Sequence, residues 1–189
     1  DVDDTIIESN AVSFIKKLKT MLSETAKTRL AFEGVDELYT KLIDDYNNPL
    51  FFVSGSSFNL YDMLTKFCEY KNIPKAPFFL RNLGLDAKQW VKQDTAPYKK
   101  EYIHEILSTF DQLDFICIGD SGQQDPEIYT EIHQKYPVRI KAIYIRHVHT
   151  QKRKEELEQI AQKLDIPLLI MEHSRDALKH AKDMGWVNE

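Results

Sequence analysis

The sequence predicts an α/β fold: a three-layer sandwich with a central, mostly parallel sheet between two layers of helices. Three observations lead there. Short apolar runs at 50–53, 77–80, 113–118, 140–145 and 167–171 alternate with longer segments of helical period, the order expected of βα units. The chain has 189 residues, 42% of them hydrophobic, enough for one sizeable core and too few to favour two domains. The polar clusters Asp1/Asp3, Ser54/Ser56 and Asp120/Asp125 fall where such runs end, and ligands of open α/β sheets sit at that carboxyl edge.

Taken in order, residues 10–23 carry Val12, Phe14, Ile15, Leu18, Met21 and Leu22, a helical stripe. A second helix is expected over 35–46, ended by Asn47-Asn48-Pro49. The run 50–53 then forms a strand buried on both faces. Ser54-Gly55-Ser56-Ser57 closes it, and Ser57 can cap a helix over 58–70. A short strand at 77–80 precedes a polar connection over 81–97 with no clear period. Tyr102, Ile103, Ile106, Leu107 and Phe110 give a helix over 99–110. The strand at 113–118 runs into Gly119-Asp120-Ser121-Gly122, and Pro126 suits the first turn of the next helix. A strand at 140–145, a helix at 151–164, a strand at 167–171 and a helix at 174–184 complete the alternation. The acidic motif opens the sequence, so its strand is expected upstream of Asp1, and 1–189 is expected to be one domain.

Asp1-Val2-Asp3-Asp4-Thr5 places three carboxylates in four residues. An Asp-rich turn or helix cap is the competing reading. Asp1 and Asp3 facing one crevice would repel unless a cation or a shared proton relieved them. Mg²⁺ takes one or two carboxylates together with phosphate oxygens and water. Asp1, Asp3 and Asp120 around a phosphoryl group, with Lys99 and Ser54 as phosphate-seeking partners, therefore make phosphoryl transfer the best chemical fit.

The order DxDDT at 1–5, serine after a strand at 54, Lys99 and GDxxxxD at 119–125 resembles the haloacid dehalogenase superfamily of phosphotransferases. More narrowly, Asp1 to Ile6, Val53-Ser54-Gly55-Ser56 with Asn59-Leu60-Tyr61, Gly119-Asp120-Ser121-Gly122 with Asp125 to Tyr129, and Ile143 to Arg146 are similar to the actin-patch phosphatidate phosphatase catalytic-domain family and its bacterial relatives. The likeness spans about residues 1–148. It implies a Rossmann-like sheet and a Mg²⁺-dependent phosphatase. Asp1 would be the nucleophile that forms an aspartyl-phosphate, and Asp3 the acid that protonates the leaving oxygen and later deprotonates water. The Asp1 carboxylate, the Asp3 carbonyl and Asp120 would hold Mg²⁺, with Asp125 as support. Ser54 and Gly55 would face the phosphoryl oxygens, and Lys99 would offset charge on both substrate and nucleophile. Lys99 is preferred to Lys100 because Ile103 then falls four residues on, the family's spacing. Ser57, Phe58 and Tyr98 stand where the family usually has proline, tryptophan and histidine. The segments 5–50 and 57–99 are each only about 40 residues, so no large cap domain is expected. The implied substrate is phosphatidate at a membrane surface or a related phosphomonoester lipid. A soluble phosphomonoester or phosphoprotein is the alternative, and a non-catalytic phosphate-accepting or interaction module is the rival from another class.

A net charge of −5 with interspersed signs argues against a general nucleic-acid binder. Cys68 and Cys117 are far apart, and Cys117 lies within an apolar run, so a reducing, cytoplasmic setting is expected, free or peripheral to a membrane. No apolar run approaches the roughly 18 residues of a membrane-spanning helix. His147, His149, Arg139, Lys141, Arg146 and 152–154 are expected to form a solvated charged edge, with anionic lipid as the less favoured reading. His104, His133, His173 and His180 lack ligand spacing and are expected at the surface. The strand aromatics Phe51, Phe52, Phe78, Phe79 and Phe115 are expected in the core.

Overall fold

Strand β4, Ile140–Arg146, shows why the sandwich forms. Its residues alternate between two cores: Ile143 and Ile145 join one cluster, Ala142 and Tyr144 the other. Period 2 sends successive side chains to opposite faces, so an apolar run without polar alternation must be covered on both sides. The computed structural model describes residues 1–2, 4–6, 31–44, 47–82 and 95–188. Asp3, the helix expected over 10–23 and residues 83–94 lie outside them.

The described elements are α1 (Val35–Ile43), β1 (Phe52–Ser57), a 3₁₀ turn (Phe58–Leu60), α2 (Tyr61–Tyr70), β2 (Phe78–Arg81), α3 (Ala96–Thr109), β3 (Phe115–Asp120), α4 (Asp125–Lys135), β4, α5 (Gln151–Ala161), β5 (Leu168–Met171) and α6 (Ser174–Asp183). Every strand pair is parallel: β1 with β2, β3 with β4, and β4 with β5. Helices α3, α4 and α5 cover one face through Ile103, Ile106, Ile128, Ile132 and Leu157. Helices α1 and α6 cover the other beside β4 and β5, through Leu38, Ala177 and Leu178. Near β1 that face is filled by Tyr39, Leu64 and Phe67 against Phe52. The three-layer α/β fold is thus present.

Where one sheet was expected, the described strands form a pair, β1-β2, and a trio, β3-β4-β5. An apolar cleft separates β1 from β3, lined by Phe51, Phe52, Val53, Phe115, Ile116 and Cys117, with Asp1 also on its wall. The Asp1 amino nitrogen donates to the Ile118 carbonyl at 2.8 Å, so the chain enters the site from beside β3.

Several boundaries move. Strand β1 begins two residues later than the apolar run and continues through Ser54 to Ser57, which the sequence reading treats as loop. Helix α3 starts at Ala96, with Pro97 in its first turn, so Lys99 lies one turn inside it. Helix α1 stops at Ile43, where Asp44 adopts φ 44°. Ser57 does cap the turn that follows, its hydroxyl accepting from the Asn59 N–H at 3.3 Å. Of the strand aromatics, Phe52 is fully buried, while Phe51, Phe78, Phe79 and Phe115 pack partly buried against the cores.

Two surface expectations are overturned. His133 is buried and meets Asp165 at 2.5 Å, tying α4 to the turn before β5. Arg146 is only 2% exposed and belongs to no solvated edge. Its Nε donates to the Thr5 carbonyl at 2.9 Å, its Nη2 to Ser174 Oγ at 2.8 Å, and its guanidinium lies 4.1 Å over the Phe32 ring. A buried guanidinium requires such partners.

Candidate active site

Parallel strands deliver their carboxyl ends to one edge, and β3 ends on Asp120. The next helix then begins with Asp125-Pro126, proline at the helix start lacking only an N–H that would be unpaired anyway. This connection folds Asp125 back over the strand. A Cβ on Gly119 would lie 2.5 Å from Asp125 Oδ2, so only glycine leaves room for that carboxylate. The Asp120 N–H donates to the same oxygen at 3.3 Å.

Asp1 arrives beside β3, and Thr5 donates its hydroxyl to Asp1 Oδ2 at 3.2 Å. Arg146, paired with Asp120 across the β3–β4 ladder, holds the Thr5 carbonyl. The turn that follows Asp1 is thereby fastened to β4. The third contribution comes from α3. A Cβ on Gly55 would lie 2.7 Å from Thr95 Cγ2, so glycine in β1 lets the start of α3 approach closely. Lys99, one turn later, is 1% exposed. Its ammonium reaches Asp1 Oδ1 at 2.7 Å and Asp125 Oδ1 at 2.6 Å. Lys100 points elsewhere, to Glu131 on α4.

The structure thus brings together Asp1, Lys99, Asp120 and Asp125 from the segment beside β3, the end of β3 and two helices. Ligand oxygens of the three acids lie within 4.8 Å of one another, and all three residues are buried. Ser54 is fully buried within β1, its Oγ accepting from the Ser56 N–H at 3.0 Å. Asp3 is outside the described residues. Two participants went unassigned in the sequence reading. In the sequence Thr5 stands only as part of the acidic motif, although a hydroxyl four residues from Asp1 can reach back to it. Gln123, whose Nε2 donates to Asp120 Oδ2 at 3.1 Å, stood in the GDxxxxD loop with no role.

The electrostatics are unbalanced. Three carboxylates meet one ammonium, a formal excess of two negative charges in a buried place. The Asp120 carboxyl is accordingly pushed up to about 7, first by burial and then by Asp125, against the pull of Lys99 and the Gly122 and Gln123 N–H groups. A divalent cation is the partner such a hard, all-oxygen set fits.

Residues 1–147 match the model of the phosphatidate phosphatase APP1 catalytic domain. The chain is 30% identical over 146 residues to phosphatidate phosphatase APP1 of Saccharomyces cerevisiae, an alignment covering 77% of this chain and 25% of the yeast protein. It is 29% identical over 150 residues to the uncharacterized protein C29B5.04c of Schizosaccharomyces pombe, covering 78% and 24%. The chain therefore spans about a quarter of the length of these relatives. No solved structure matches. The matched span contains Asp1, Ser54, Lys99, Asp120 and Asp125, the four strands β1 to β4 and the buried acidic cluster, so this chain belongs to the phosphatidate phosphatase APP1 catalytic-domain family.

Proposed function

We propose that this chain is a Mg²⁺-dependent phosphoric monoester hydrolase of the haloacid dehalogenase type, acting through an aspartyl-phosphate on phosphatidate presented at a membrane surface. The observation that carries this reading is the buried Lys99 ammonium shared by Asp1 and Asp125, next to Asp120. The family supplies the substrate, since the yeast relative bears the name of a phosphatidate phosphatase.

Asp1, Asp120 and Asp125 would hold the cation, whose chemistry is to neutralise charge on the phosphoryl oxygens. One Asp1 carboxylate oxygen attacks phosphorus as the ester P–O bond breaks. The electron pair of that bond leaves on the alcohol oxygen, which takes a proton from Asp3. Lys99 offsets the charge gathering around phosphorus, and Thr5 fixes the rotamer of Asp1 through its hydroxyl. Asp3 then accepts a proton from water, the new P–O bond forms, the Asp1 acyl phosphate bond breaks, and inorganic phosphate leaves. Ser54 would donate to a phosphoryl oxygen from within β1, and Gly55 would keep that wall free of side chain.

The test is phosphate release by the full-length protein from phosphatidate in mixed micelles and from a soluble phosphomonoester, each with Mg²⁺ and with chelator. Metal-dependent release from the lipid, lost in Asp1→Asn, is expected. Release from the soluble ester alone would keep the chemistry and remove the lipid. No release from either by folded protein would return the chain to the phosphate-accepting or silent readings.

A further inference from the structure

Resting on that reading of the metal site, we infer that Gln123 is a positioning residue that keeps the Lys99 ammonium and the Asp120 carboxylate apart at a fixed spacing. Gln123 sits half-buried in the loop between β3 and α4. Its side-chain amide lies between two opposite charges. The nitrogen Nε2 donates to Asp120 Oδ2 at 3.1 Å, and the oxygen Oε1 accepts from Lys99 Nζ over a longer 3.5 Å. The partners fix the orientation of the amide, because the flipped form would set oxygen against carboxylate and NH₂ against ammonium.

Main-chain bonds set the reach of this side chain. The N–H groups of Gly122 and Gln123 both donate to Asp120 Oδ1, at 2.6 and 2.9 Å. From outside, Arg153 holds the loop carbonyls of Ser121 and Gln123 at 3.1 and 3.4 Å, and Glu127 and Glu156 hold Arg153 at 2.7 and 3.3 Å. The amide is thus presented by a clamped loop.

Its neutrality matters as much as its two ends. Among the described residues the ion pairs of Lys99 are with Asp1 and Asp125, and none joins it to Asp120. An ammonium and a buried carboxylate so near each other attract strongly where water is excluded. Without a spacer they close into a direct pair, drawing Lys99 from Asp1 and occupying the oxygens of Asp120. A carboxylate in place of the amide would add a fourth negative group and repel Asp120. Asparagine would be a methylene short of both partners.

The test compares Gln123→Met, similar in volume but without either polar end, with the parent full-length protein. Gln124→Met, at the neighbouring exposed position, serves as control. The readouts are Mg²⁺ affinity by calorimetry in the absence of substrate, Tm in chelator, and kcat and KM separately. Gln123→Met is expected to bind Mg²⁺ about tenfold more weakly and to lose about tenfold in kcat, the size of one charge-assisted hydrogen bond. KM and the metal-free Tm should stay near the parent's. Parent-like Mg²⁺ affinity and kcat would overturn the assignment. So would a fall in Tm with unchanged kcat per folded molecule, which would mark a structural residue. Should Gln123→Met fail to fold, Gln123→Asn carries the same comparison. The Mg²⁺ titration decides the matter without turnover, so a missing activity would bear on the proposed function alone. A parent that binds no Mg²⁺ would overturn both.

Discussion

Lys99 is the residue through which the acids of the site meet, and its removal has two separable effects. Lys99→Ala leaves Asp1 and Asp125 buried without their cation, and breaking such a pair costs about 3 kcal/mol or more. It also removes preorganised charge from the phosphoryl site, for which a loss in kcat of roughly 100-fold is expected. Lys100→Ala, which gives up only a partly exposed pair with Glu131, should change both by little. Urea unfolding and steady-state kinetics on the two variants distinguish them, and a larger loss at Lys100 would move the catalytic lysine by one position. Asp120 gives a pH prediction. Its carboxyl rises from an ordinary 3.8 to about 7 in the fold, through burial and then Asp125. Between those values the folded state holds a proton that the unfolded chain has lost, so this group makes metal-free stability fall as pH rises from about 4 to about 7. Thermal unfolding in chelator across that window should show the decline, and Asp120→Asn should flatten it. An identical slope in the variant would mean that other groups dominate.

At the scale of elements, the alternation of strands and helices was legible because period 2 and period 3.6 are written in apolar spacing. The strand ends were not. Ser54 to Ser57 look like a loop by composition, yet they continue β1 because its ladder with β2 resumes at Ser57, paired with Arg81, beyond an irregularity after Val53. The acids and Lys99 could be picked out as chemistry, and their meeting through Gly55 and Gly119 needed coordinates, since a close approach between distant segments leaves no local period. His133 and Arg146 were misplaced for the same reason: their partners Asp165, Thr5 and Ser174 are far off in sequence. Gly119→Ala tests the close approach. Its methyl would collide with Asp125 at 2.5–2.8 Å, so Asp125 must move, and metal affinity should fall by at least tenfold while most of β3 stays in place. Parent-like affinity would show that Asp125 is not held there.

Over the whole molecule, the site stands at the edge of parts that one apolar cluster already packs together. Asp1 stands where the two groups of strands meet, Asp120 ends β3, Asp125 opens α4, and Lys99 comes from α3, which packs against β1. Among the described residues no helix is long and apolar enough to cross a membrane. A cation bound by the three acids would tie the segment of Asp1 to the end of β3 and the start of α4 as well as complete the site. Binding to the folded state alone stabilises it by about 2.7 kcal/mol at one hundred times the dissociation constant. For a chain of this size each kcal/mol moves Tm by roughly 2–4 °C, so saturating Mg²⁺ should raise Tm by about 5–10 °C, and chelator should reverse the shift. The gain should be larger at pH 8 than at pH 5, because Asp120 must lose its proton before the cation can use it. Asp120→Asn should remove most of the gain while leaving the metal-free protein folded. A Tm indifferent to Mg²⁺ at both pH values would mean that the acids hold protons in place of a metal, and the hydrolase reading would then need a different source of charge at phosphorus.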